Sequence, residues 1–538
     1  MTDLNALAAF AAAIGSDSVI TSPVVLKSAA TATFPTTQSI PALVRPHSRE
    51  EVERCLAIAR DYQLQIYPVS SGKNWGYGSR VPVADQCVLM DLGLMNRIVD
   101  FNEELAWVTI EPGVTQQQLF TYLKDRRSRL WIDATGSTPD ASIIGNTMER
   151  GFGHTPYGDH AGNVCGLEVV LPNGSVVRTG MARFGNAHGA PVYRWGLGPG
   201  LDGLFMQSNL GIVTQMTLWL MPAPDYFEAF FFRCDSDEAL PAVIDALRPL
   251  RMNGTLRSSI HIANDYKVIA GIRQYPWSET GGATPLQPAI LSRLRTEMKF
   301  GAWNGSGGLY GTRTQVREAR RLLRRALTGK ANRITFLNDR LLSFAGRFSR
   351  AFGLASRWDV SRALELVRPV YGLMKGIPTD RPLASAYWRK PHPPPTRMDP
   401  DHDGCGLLWS APVGPAEGKH ARAIAGLAGE ILLRHGFEPM LSITLISERA
   451  LICVISITWD RALAGEDERA MVCFEELQNK LDSAGYVPYR LGVQSMAQGQ
   501  SLGAHEQLLD AIRNEFDPGR LLAPGRYDHL PRQSRSSE

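Results

Sequence analysis

Apolar and polar positions along residues 41–222 alternate in a way that predicts short strands separated by amphipathic helices. Residues 48–63 place Val52 and Leu56 on one helical face, and Ser48 precedes them as an N-cap. Short apolar runs on both sides of this helix, and again further along the segment, indicate strands. Such an alternation is typical of an α/β or α+β domain.

The pattern changes after Pro222 and predicts a second domain. Residues 224–300 have the periodicities of strands and helices in another sheet, and residues 313–375 read as a long, strongly basic helical stretch. A proline-rich loop covers 391–406, strands and helices then continue to about residue 482, and the remaining chain is polar and rich in turns. The basic stretch has the composition of a solvated helix face, while a docking face for an acidic partner or a membrane surface stays open.

Length and composition indicate a globular protein of two or three domains. The chain has 538 residues, of which 44% are apolar and 20% charged, and this length exceeds one simple core. A net charge of +4 argues neither for nor against nucleic-acid binding, and no nucleic-acid partner is expected. Seven widely spaced cysteines without a CxxC pair indicate buried reduced thiols rather than disulfides or a zinc site.

The N-terminal residues 4–14 form an apolar run that follows Asp3 rather than basic residues. A signal peptide has the opposite flank, and a membrane span is about twice as long. We therefore expect an amphipathic helix here. Because no other apolar run reaches spanning length, the sequence predicts a cytoplasmic protein without a membrane span.

Two motif-like stretches fail on inspection. Residues 198–203 satisfy GxGxxG, but no strand pattern precedes them and a proline occupies the turn, which argues against a Rossmann fingerprint. The aspartates of residues 399–403 resemble the start of a calcium loop. Its twelfth position is Ser410 instead of a bidentate glutamate, and prolines interrupt it, so calcium is not expected.

Two other features fall short of a triphosphate or metal site. Gly72-Lys73 resembles the end of a P-loop, but Asn74 stands where that motif requires serine or threonine. His154 and His160 could suggest a metal, but no further ligand cluster accompanies them. No metal site is predicted.

The stretch SSGKNWGYGS, residues 70–79, follows a predicted strand and leads into a segment without helical periodicity. Its three glycines allow the backbone to turn sharply and to approach a ligand closely. Consecutive backbone N–H groups from Ser70 to Gly78 could form an anion nest for a pyrophosphate. We therefore interpret this glycine loop as a binding site.

The segment YPVSSGKNWGYGS resembles the pyrophosphate loop of the vanillyl-alcohol oxidase/4-cresol dehydrogenase family of FAD-dependent oxidoreductases. Six further blocks resemble successive segments of that family in the same order, across most of residues 40–223 and 480–527, and the cap matches more loosely. The six blocks are VTIEPGVTQQQL, LWIDATG, IIGNTMERGFGHTPYGDH, GLEVVLPNGSVVRTG, GPGLDGLFMQSNLGIVTQMTLWLMP and DPGRLLAPGRY.

The resemblance implies an α+β protein with a PCMH-type FAD-binding domain of two small subdomains and an antiparallel-sheet cap domain with helices. Residues 1–39 would be an N-terminal segment, 40–223 the FAD-binding domain and 224–482 the cap or substrate domain. Residues 483–538 would return to the FAD domain. It also implies a homodimer or larger assembly acting on a small-molecule substrate.

The resemblance assigns a set of residues to FAD binding. They are Ser70, Ser71, Gly72, Lys73, Asn74, Gly76, Tyr77, Ser142, Gly145, Asn146, Gly158, Asp159, Glu168, Val169, Gly211, Ile212, Val213 and Arg526.

Family members oxidise para-substituted phenols or benzylic alcohols, bound as phenolates, by hydride transfer to flavin N5 through a quinone methide. The resemblance places the phenolate donors at Tyr77, Tyr489 and Arg490. Ser137 falls where the family's oxidases carry a carboxylate beside N5, and Asp140 could replace that carboxylate through a loop shift. Serine is also found there in the cytochrome-linked branch.

The position of the family's FAD-linking histidine falls at Gly406 or Leu407, neither of which can form such a bond. The flavin is therefore expected to be non-covalent, with Cys405 interpreted as a buried structural thiol. A paired histidine motif of the cap is replaced by Leu451-Ile452, which implies a more apolar substrate pocket.

Two alternatives to phenol oxidation stay open. The same scaffold could act on a non-phenolic alcohol or a natural-product intermediate, or the protein could be a catalytically decayed flavin-binding protein that works through its basic cap. The electron acceptor is open as well. Ser137 favours a cytochrome, whereas the absence of a recognisable signal peptide favours a cytoplasmic partner or oxygen.

Overall fold

The structure, a computed structural model, describes residues 4–344, 360–496 and 503–528. It is a mixture of helices and mostly antiparallel sheets, so the α+β prediction is confirmed. The α-helices are α1 (Leu4–Ile14), α2 (Pro23–Ala29), α3 (Arg49–Asp61), α4 (Gln116–Asp125), α5 (Ile143–Met148), α6 (Asp202–Phe205), α7 (Leu240–Met252), α8 (Asp265–Ala270), α9 (Trp277–Thr280), α10 (Pro288–Met298), α11 (Arg313–Leu327), α12 (Val360–Leu373), α13 (Gly418–Arg434), α14 (Glu466–Ser483), α15 (Val493–Met496) and α16 (Ala504–Phe516).

The strands form three sheets and one short ribbon. They are β1 (Val19–Ile20), β2 (Leu43–Val44), β3 (Ile66–Val69), β4 (Val88–Asp91), β5 (Ile98–Asn102), β6 (Trp107–Ile110), β7 (Leu130–Trp131), β8 (Val164–Val170), β9 (Val176–Arg178), β10 (Ile212–Trp219), β11 (Met221–Pro222), β12 (Tyr226–Cys234), β13 (Ile260–Asn264), β14 (Trp303–Gly311), β15 (Arg333–Leu337), β16 (Cys405–Ser410), β17 (Val413–Pro415), β18 (Met440–Leu445) and β19 (Ala450–Asp460).

The first sheet has the order β1-β2-β4-β3, in which β4 pairs in parallel with both β2 and β3. Helix α3 buries Val52 and Leu56 in the core beneath this sheet, on the face that its periodicity predicts. The Ser48 side chain accepts a hydrogen bond from the Glu51 N–H at 3.3 Å, as an N-cap does. The Glu51 carboxylate reaches the His47 N–H rather than that of Ser48, so the capping box is incomplete.

The second sheet is antiparallel, with the order β5-β6-β10-β8-β9. A separate core lies under it, and helices α4 and α5 pack there through Leu119 and Ile144. Because β8 is buried on both faces, its run Val164–Val170 contains almost no exposed polar side chain. The two small sheets, each with its own core, form the part of the chain that holds the glycine loop.

The cap is built on an eight-stranded antiparallel sheet of order β15-β12-β14-β13-β18-β19-β16, with β17 added beside β19. Helices α7, α11, α13 and α14 contact one another or this sheet. Alternate residues of β19, such as Ile455 and Ile457, enter the large core that these helices share. The opposite face of the sheet carries Ser456 and Trp409 and turns toward the glycine loop.

The two ends of the described chain connect these parts. Thr33 accepts a hydrogen bond from the Gly76 N–H at 3.1 Å and donates one to the Leu407 carbonyl at 2.8 Å. Near the other end, the main chain of Leu521 and Ala523 pairs with Ile66 at the edge of β3. The N-terminal segment therefore links the glycine loop to cap strand β16, and the C-terminal segment extends the first sheet.

Two predicted features of the chain are wrong in the structure. The long helical stretch 313–375 is interrupted by strand β15, whose alternation of β-branched and aromatic residues lets it pair with β12 at the sheet edge. Residues 345–359 of that stretch lie outside the described residues. The turn-rich prediction for the last fifty residues misses helix α16, whose Ile512 and Phe516 pack against the second core.

Within the basic stretch, α11 buries Val316, Leu323 and Leu327 and exposes most of its arginines. Arg320 bonds to the buried Glu228 carboxylate at 3.0 Å. The helix is therefore anchored to the cap, and its outer face is solvated.

Replacing Thr33 with valine tests the link between the glycine loop and the cap. Thr33→Val keeps the shape of the side chain but leaves a buried N–H and a buried carbonyl without partners. We expect the free energy of unfolding to fall by about 1–3 kcal/mol in urea denaturation. Thr121→Val, on the exposed face of α4, is the matched control. Equal stabilities of the two variants would show that the link contributes nothing.

Candidate active site

A cleft lies between the glycine loop, helix α5 and strand β10. It encloses about 1130 Å³ of space free of protein atoms, part of which is open to solvent. Many of the residues assigned to FAD from sequence line it. They are Ser70, Ser71, Gly72, Lys73, Asn74, Ser142, Gly145, Asn146, Gly211, Ile212, Val213 and Arg526, together with Ser137 and Arg490.

The glycine loop is held tightly against the cap. Gly76 adopts φ +77°, and a Cβ at this position would lie 3.3 Å from both Leu407 and Trp409. At Gly78, with φ +116°, a Cβ would overlap the Val493 side chain. Both positions combine a left-handed backbone with close contacts, so glycine is required for the loop to pass beneath the cap.

Some backbone N–H groups of the loop already donate to acceptors in the protein, while others belong to residues that line the cleft. Those of Tyr77 and Ser79 donate to the Asn74 carbonyl, both at 3.1 Å, and that of Gly76 donates to Thr33. Residues 70–74 line the cleft. The predicted nest from Ser70 to Gly78 is therefore too long. Gly76 and Tyr77 lie behind the cleft wall with their N–H groups directed elsewhere.

Helix α5, which the sequence analysis did not assign, is positioned by two serines. Ser142 donates its N–H to Ser71 Oγ at 2.9 Å, and its own Oγ accepts from the Gly145 N–H at 2.9 Å. A Cβ at Gly145 would overlap Ser70 Oγ. This close approach brings the first turn of α5 against the glycine loop and narrows that end of the cleft.

Asn146 is held by a buried chain of polar groups. Its Oδ1 lies 2.6 Å from His160 Nδ1, and the other ring nitrogen of His160 lies 2.7 Å from Asp133. Asp133 also accepts from the Thr155 N–H at 2.6 Å. Asp133 therefore orients the cleft residue Asn146 through His160. Among the described residues, no group of three His, Cys, Asp or Glu side chains is arranged to hold a metal ion.

Besides Gly76 and Tyr77, four residues assigned to FAD from sequence do not line the cleft, namely Gly158, Asp159, Glu168 and Val169. Asp159 is exposed and accepts from the Gly162 N–H. The buried Glu168 carboxylate pairs with Arg178 at 2.8 Å and accepts from Thr214 within the second sheet. Asp140, the suggested substitute for the N5 carboxylate, is also exposed and away from the cleft.

Arg490 lies where the cleft meets the cap. It is 8% exposed, donates to Asn74 Oδ1 at 2.7 Å and stacks over the Tyr77 ring at 3.9 Å. On the other side, the Tyr77 ring meets Trp409 edge-on, with centroids 5.6 Å apart. The guanidinium is thus fixed between the loop and the cap, with one face on an aromatic ring.

The predicted phenolate donors come together at this point. Burial, together with the nearby Tyr489 hydroxyl, raises the pKa of Tyr77 well above its ordinary value, so its hydroxyl stays protonated and able to donate. Burial acts against the charge of Arg490, but the oxygens of Tyr489, Tyr77 and Tyr527 outweigh it and keep its pKa raised. The cluster therefore offers hydrogen-bond donors and a positive charge to an anionic oxygen.

Glu149 is a functional-site residue that the sequence analysis missed. This buried carboxylate lies 3.4 Å from Arg490, forms an ion pair with Arg526, and accepts from the Tyr527 hydroxyl at 3.0 Å. It lies three residues after Asn146 in one of the recognised blocks, but its partners are hundreds of residues away in sequence. It offsets one of the two positive charges that Arg490 and Arg526 place at the border of the cleft.

An aromatic wall continues from this cluster onto the cap. Phe152 lies between Tyr489 and His261, with centroids 5.8 and 6.5 Å away, and His154 stacks on His261 at 4.2 Å. Burial lowers the pKa of both histidines, that of His261 far below its usual value, so His261 is neutral at physiological pH.

Several polar atoms of this wall and of the adjoining cluster are unpaired. His261 Nε2, Trp409 Nε1 and Arg490 Nε are buried without hydrogen-bond partners among the described residues. Buried polar groups are rarely left unpaired in a finished structure. Together with the narrow, glycine-lined cleft, they fit a bound flavin and a small polar substrate beside it.

Neither residue at the linking position can bind flavin covalently. A Cβ at Gly406 would overlap the Trp459 ring on the helix-covered side of the sheet, so this position faces away from the cleft. Leu407 packs toward Gly76 on the opposite face. No side chain at this position therefore opposes the expectation that the flavin is non-covalent.

The comparisons with known proteins decide the family. Residues 40–180 match the model of an FAD binding domain. The chain is 32% identical over 491 residues to the 4-cresol dehydrogenase [hydroxylating] flavoprotein subunit of Pseudomonas putida, with 90% of this chain and 87% of the relative covered. The chain belongs to the vanillyl-alcohol oxidase/4-cresol dehydrogenase family. It is an FAD-dependent oxidoreductase, and FAD is its cofactor.

Other family members extend this result. The chain is 45% identical over 526 residues to the 1'-carboxy-chondrochloren decarboxylase of Chondromyces crocatus, which covers 97% of both chains. The crystal structure of p-cresol methylhydroxylase with substrate bound matches with a TM-score of 0.86 at 30% identity, covering 98% of this chain and 96% of that one.

A second solved family structure agrees. The 4-ethylphenol oxidase from Gulosibacter chungangensis, in an isoeugenol complex, has a TM-score of 0.88 at 28% identity, with 99% and 98% of the two chains covered. In the present chain, none of the helices among the described residues is long and apolar enough to cross a membrane.

Acid precipitation tests whether FAD is attached covalently to this protein. Because Gly406 and Leu407 cannot form a link, we expect trichloroacetic acid to leave a colourless protein pellet and FAD in the supernatant. The absorbance spectrum of the two fractions is the measurement, with a covalent family member treated in parallel. A yellow pellet that survives washing would contradict this expectation.

Proposed function

We propose that the protein oxidises a para-substituted phenol or benzylic alcohol, removing a hydride from the benzylic carbon. The observation that carries this proposal is the cluster of Tyr77, Tyr489 and Arg490 at the junction of the cleft and the cap. Bound FAD supplies the hydride acceptor at N5. The protein supplies the phenolate site and keeps it closed to bulk water.

The cluster favours the phenolate over the neutral phenol. Arg490 contributes a fixed positive charge, and Tyr77 is a donor that stays protonated. Donors and charge placed around an oxygen stabilise its anion in a buried site. Loss of hydride from the benzylic carbon of a phenolate leaves a neutral quinone methide, so ionisation of the substrate prepares it for oxidation.

Part of the cap side of the proposed substrate pocket is apolar. Ile452 lies opposite Thr444 in the sheet and is 5% exposed, whereas Leu451 turns into the helix-covered core. One residue of the replaced histidine pair therefore faces the site and the other does not. This arrangement supports a substrate whose para substituent is largely hydrocarbon.

A second candidate is the oxidative decarboxylation of a phenol that carries a carboxylate on the carbon next to the benzylic one. The 45% identity to a decarboxylase over nearly the whole chain favours it. After hydride loss, the bond from that carbon to the carboxylate breaks. Its electron pair forms the new carbon–carbon double bond, the ring returns to a phenolate, and CO₂ leaves. The two electrons removed reside on the flavin, so no other oxidant is needed for this step.

Conservative variants test the phenolate site. We expect Tyr489→Phe and Arg490→Lys to lower the rate of anaerobic flavin reduction by 4-alkylphenols about 10- to 1000-fold. The cause would be a weaker phenolate site, because lysine cannot both stack and donate as arginine does. FAD content, measured by absorbance, should stay at the wild-type level.

Tyr62→Phe is the matched control, because Tyr62 is 38% exposed and distant from the cleft. Unchanged rates in both active-site variants would remove these residues from the site. If no phenol or benzylic alcohol reduces the wild-type flavin, the proposal itself fails. Reoxidation in air, compared with reoxidation by an electron-accepting dye, identifies the class of acceptor.

A further inference from the structure

Lys267 is a half-buried cap lysine without a carboxylate partner among the described residues. Its Nζ donates to Ser385 Oγ at 3.0 Å and to Ser456 Oγ at 3.1 Å. Burial lowers its pKa to about 8, and no carboxylate in the described part of the chain counteracts this effect. An ammonium group has three N–H donors, so one donor lacks an acceptor among the described residues.

Other buried cations of the cap have carboxylate partners or several carbonyl acceptors. Arg389 pairs with Glu438 at 2.8 Å, and Lys390 pairs with Asp460 at 2.7 Å. Arg251 lacks a carboxylate but donates to three main-chain carbonyl groups. Even Asp265, two residues before Lys267, is engaged by Arg295. Lys267 therefore differs from these neighbours because its positive charge is uncompensated.

The sheet places Lys267 on the side of the active site. Residues 451, 453, 455, 457 and 459 of β19 enter the helix-covered core, so Ser456 belongs to the opposite face. Ser456 is the register partner of Trp409 on β16. Trp409 is also the residue whose ring meets Tyr77. The lysine, the tryptophan and the phenolate cluster thus follow one another across one face of the cap sheet.

The distance between Lys267 and the Tyr77 ring suits a small aromatic acid. Lys267 Nζ lies 3.1 Å from Ser456 Oγ, Ser456 lies one strand spacing of about 4.8 Å from Trp409, and the Trp409 and Tyr77 ring centroids are 5.6 Å apart. These steps put Lys267 on the order of 14 Å from the Tyr77 ring, so a ligand with a hydrogen bond of about 3 Å at each end has to span roughly 8 Å. A 3-(4-hydroxyphenyl)propanoate spans about 8 Å from phenol oxygen to carboxylate by ordinary bond lengths. Its phenol oxygen can therefore lie at the tyrosine–arginine cluster while its carboxylate reaches the lysine.

An uncompensated buried charge costs several kcal/mol unless an opposite charge joins it. Lys267 has two serine hydroxyl groups and the unpaired Trp409 Nε1 on its side of the sheet, and such groups are suitable neighbours for an anion. We infer that Lys267 binds the carboxylate of a para-hydroxyphenyl carboxylic acid, at the end of the substrate opposite the phenol. This inference rests on the proposed function and names the substrate class.

Two matched substrates and one conservative pair of variants test this assignment. The substrates are 3-(4-hydroxyphenyl)propanoate and 4-propylphenol, which share the phenol and differ in the carboxylate. Anaerobic stopped-flow measurement of flavin reduction gives a dissociation constant and a limiting rate for each. We expect Lys267→Met to raise the dissociation constant of the carboxylate about 10- to 100-fold, because a charge-assisted hydrogen bond is lost. That of 4-propylphenol should change less than about twofold.

Lys267→Arg, which keeps the charge, should retain the preference for the carboxylate. Lys419→Met, at an exposed lysine of α13, should leave both substrates unaffected. Urea denaturation checks folding, and Lys267→Met should be at least as stable as wild type, because it removes an uncompensated buried charge.

The outcomes separate this inference from the proposed function. Suppose that 4-propylphenol reduces the flavin, but that Lys267→Met changes the dissociation constants of both substrates by the same factor or changes neither. The carboxylate assignment is then overturned, and phenol oxidation stands. If neither phenol reduces the wild-type flavin, the proposed function fails and the assignment fails with it.

Discussion

The structure depends on keeping one guanidinium charged inside the protein. Arg490 comes from the C-terminal part of the chain, yet its partners are Asn74 and Tyr77 of the glycine loop and Glu149 after helix α5. Removing one partner of a buried ion pair costs about 3–5 kcal/mol, so this cation fixes the relative positions of three distant segments. The cleft and the cap meet at this residue.

Several features of the fold follow from that constraint. The glycine loop must pass close beneath the cap to present Asn74 and Tyr77 together, and Gly76 and Gly78 supply the required backbone. Thr33 then joins the same loop to strand β16, so the N-terminal segment closes the arrangement from the other side. The result is a buried cluster of donors and positive charge that is set before any ligand arrives, as the proposed phenolate site requires.

Arg490 and Lys267 differ in whether a carboxylate accompanies them, and this difference bears on which substrate the proposed site selects. Arg490 is balanced by Glu149, whereas Lys267 is not balanced by any described carboxylate. The first cation can stabilise an ionised phenol while remaining paired, and the second still needs an anion. A substrate with both groups would satisfy the two ends of the pocket at once, which connects the phenol chemistry of the family with the decarboxylase resemblance.

Local patterns in the sequence predict part of this picture and miss the rest for physical reasons. Ser48 as a helix cap and residues 70–74 as cleft lining depend on neighbours in sequence, and both agree with the structure. No local pattern predicts the roles of Glu149 and Lys267. The role of Glu149 depends on partners hundreds of residues away, and that of Lys267 depends on the lack of a carboxylate partner. The local pattern predicts helix where strand β15 lies, because the strand that pairs with it, β12, is remote in sequence.

The proposed activity requires that the buried cluster binds its substrate as a phenolate. The ultraviolet difference spectrum of 4-bromophenol bound to the oxidised enzyme at neutral pH tests it most directly, because this ligand has no benzylic carbon and cannot be oxidised by hydride loss. The account predicts the spectrum of the ionised phenol, and a loss of that spectrum in Arg490→Lys. Binding with the spectrum of the neutral phenol would contradict it.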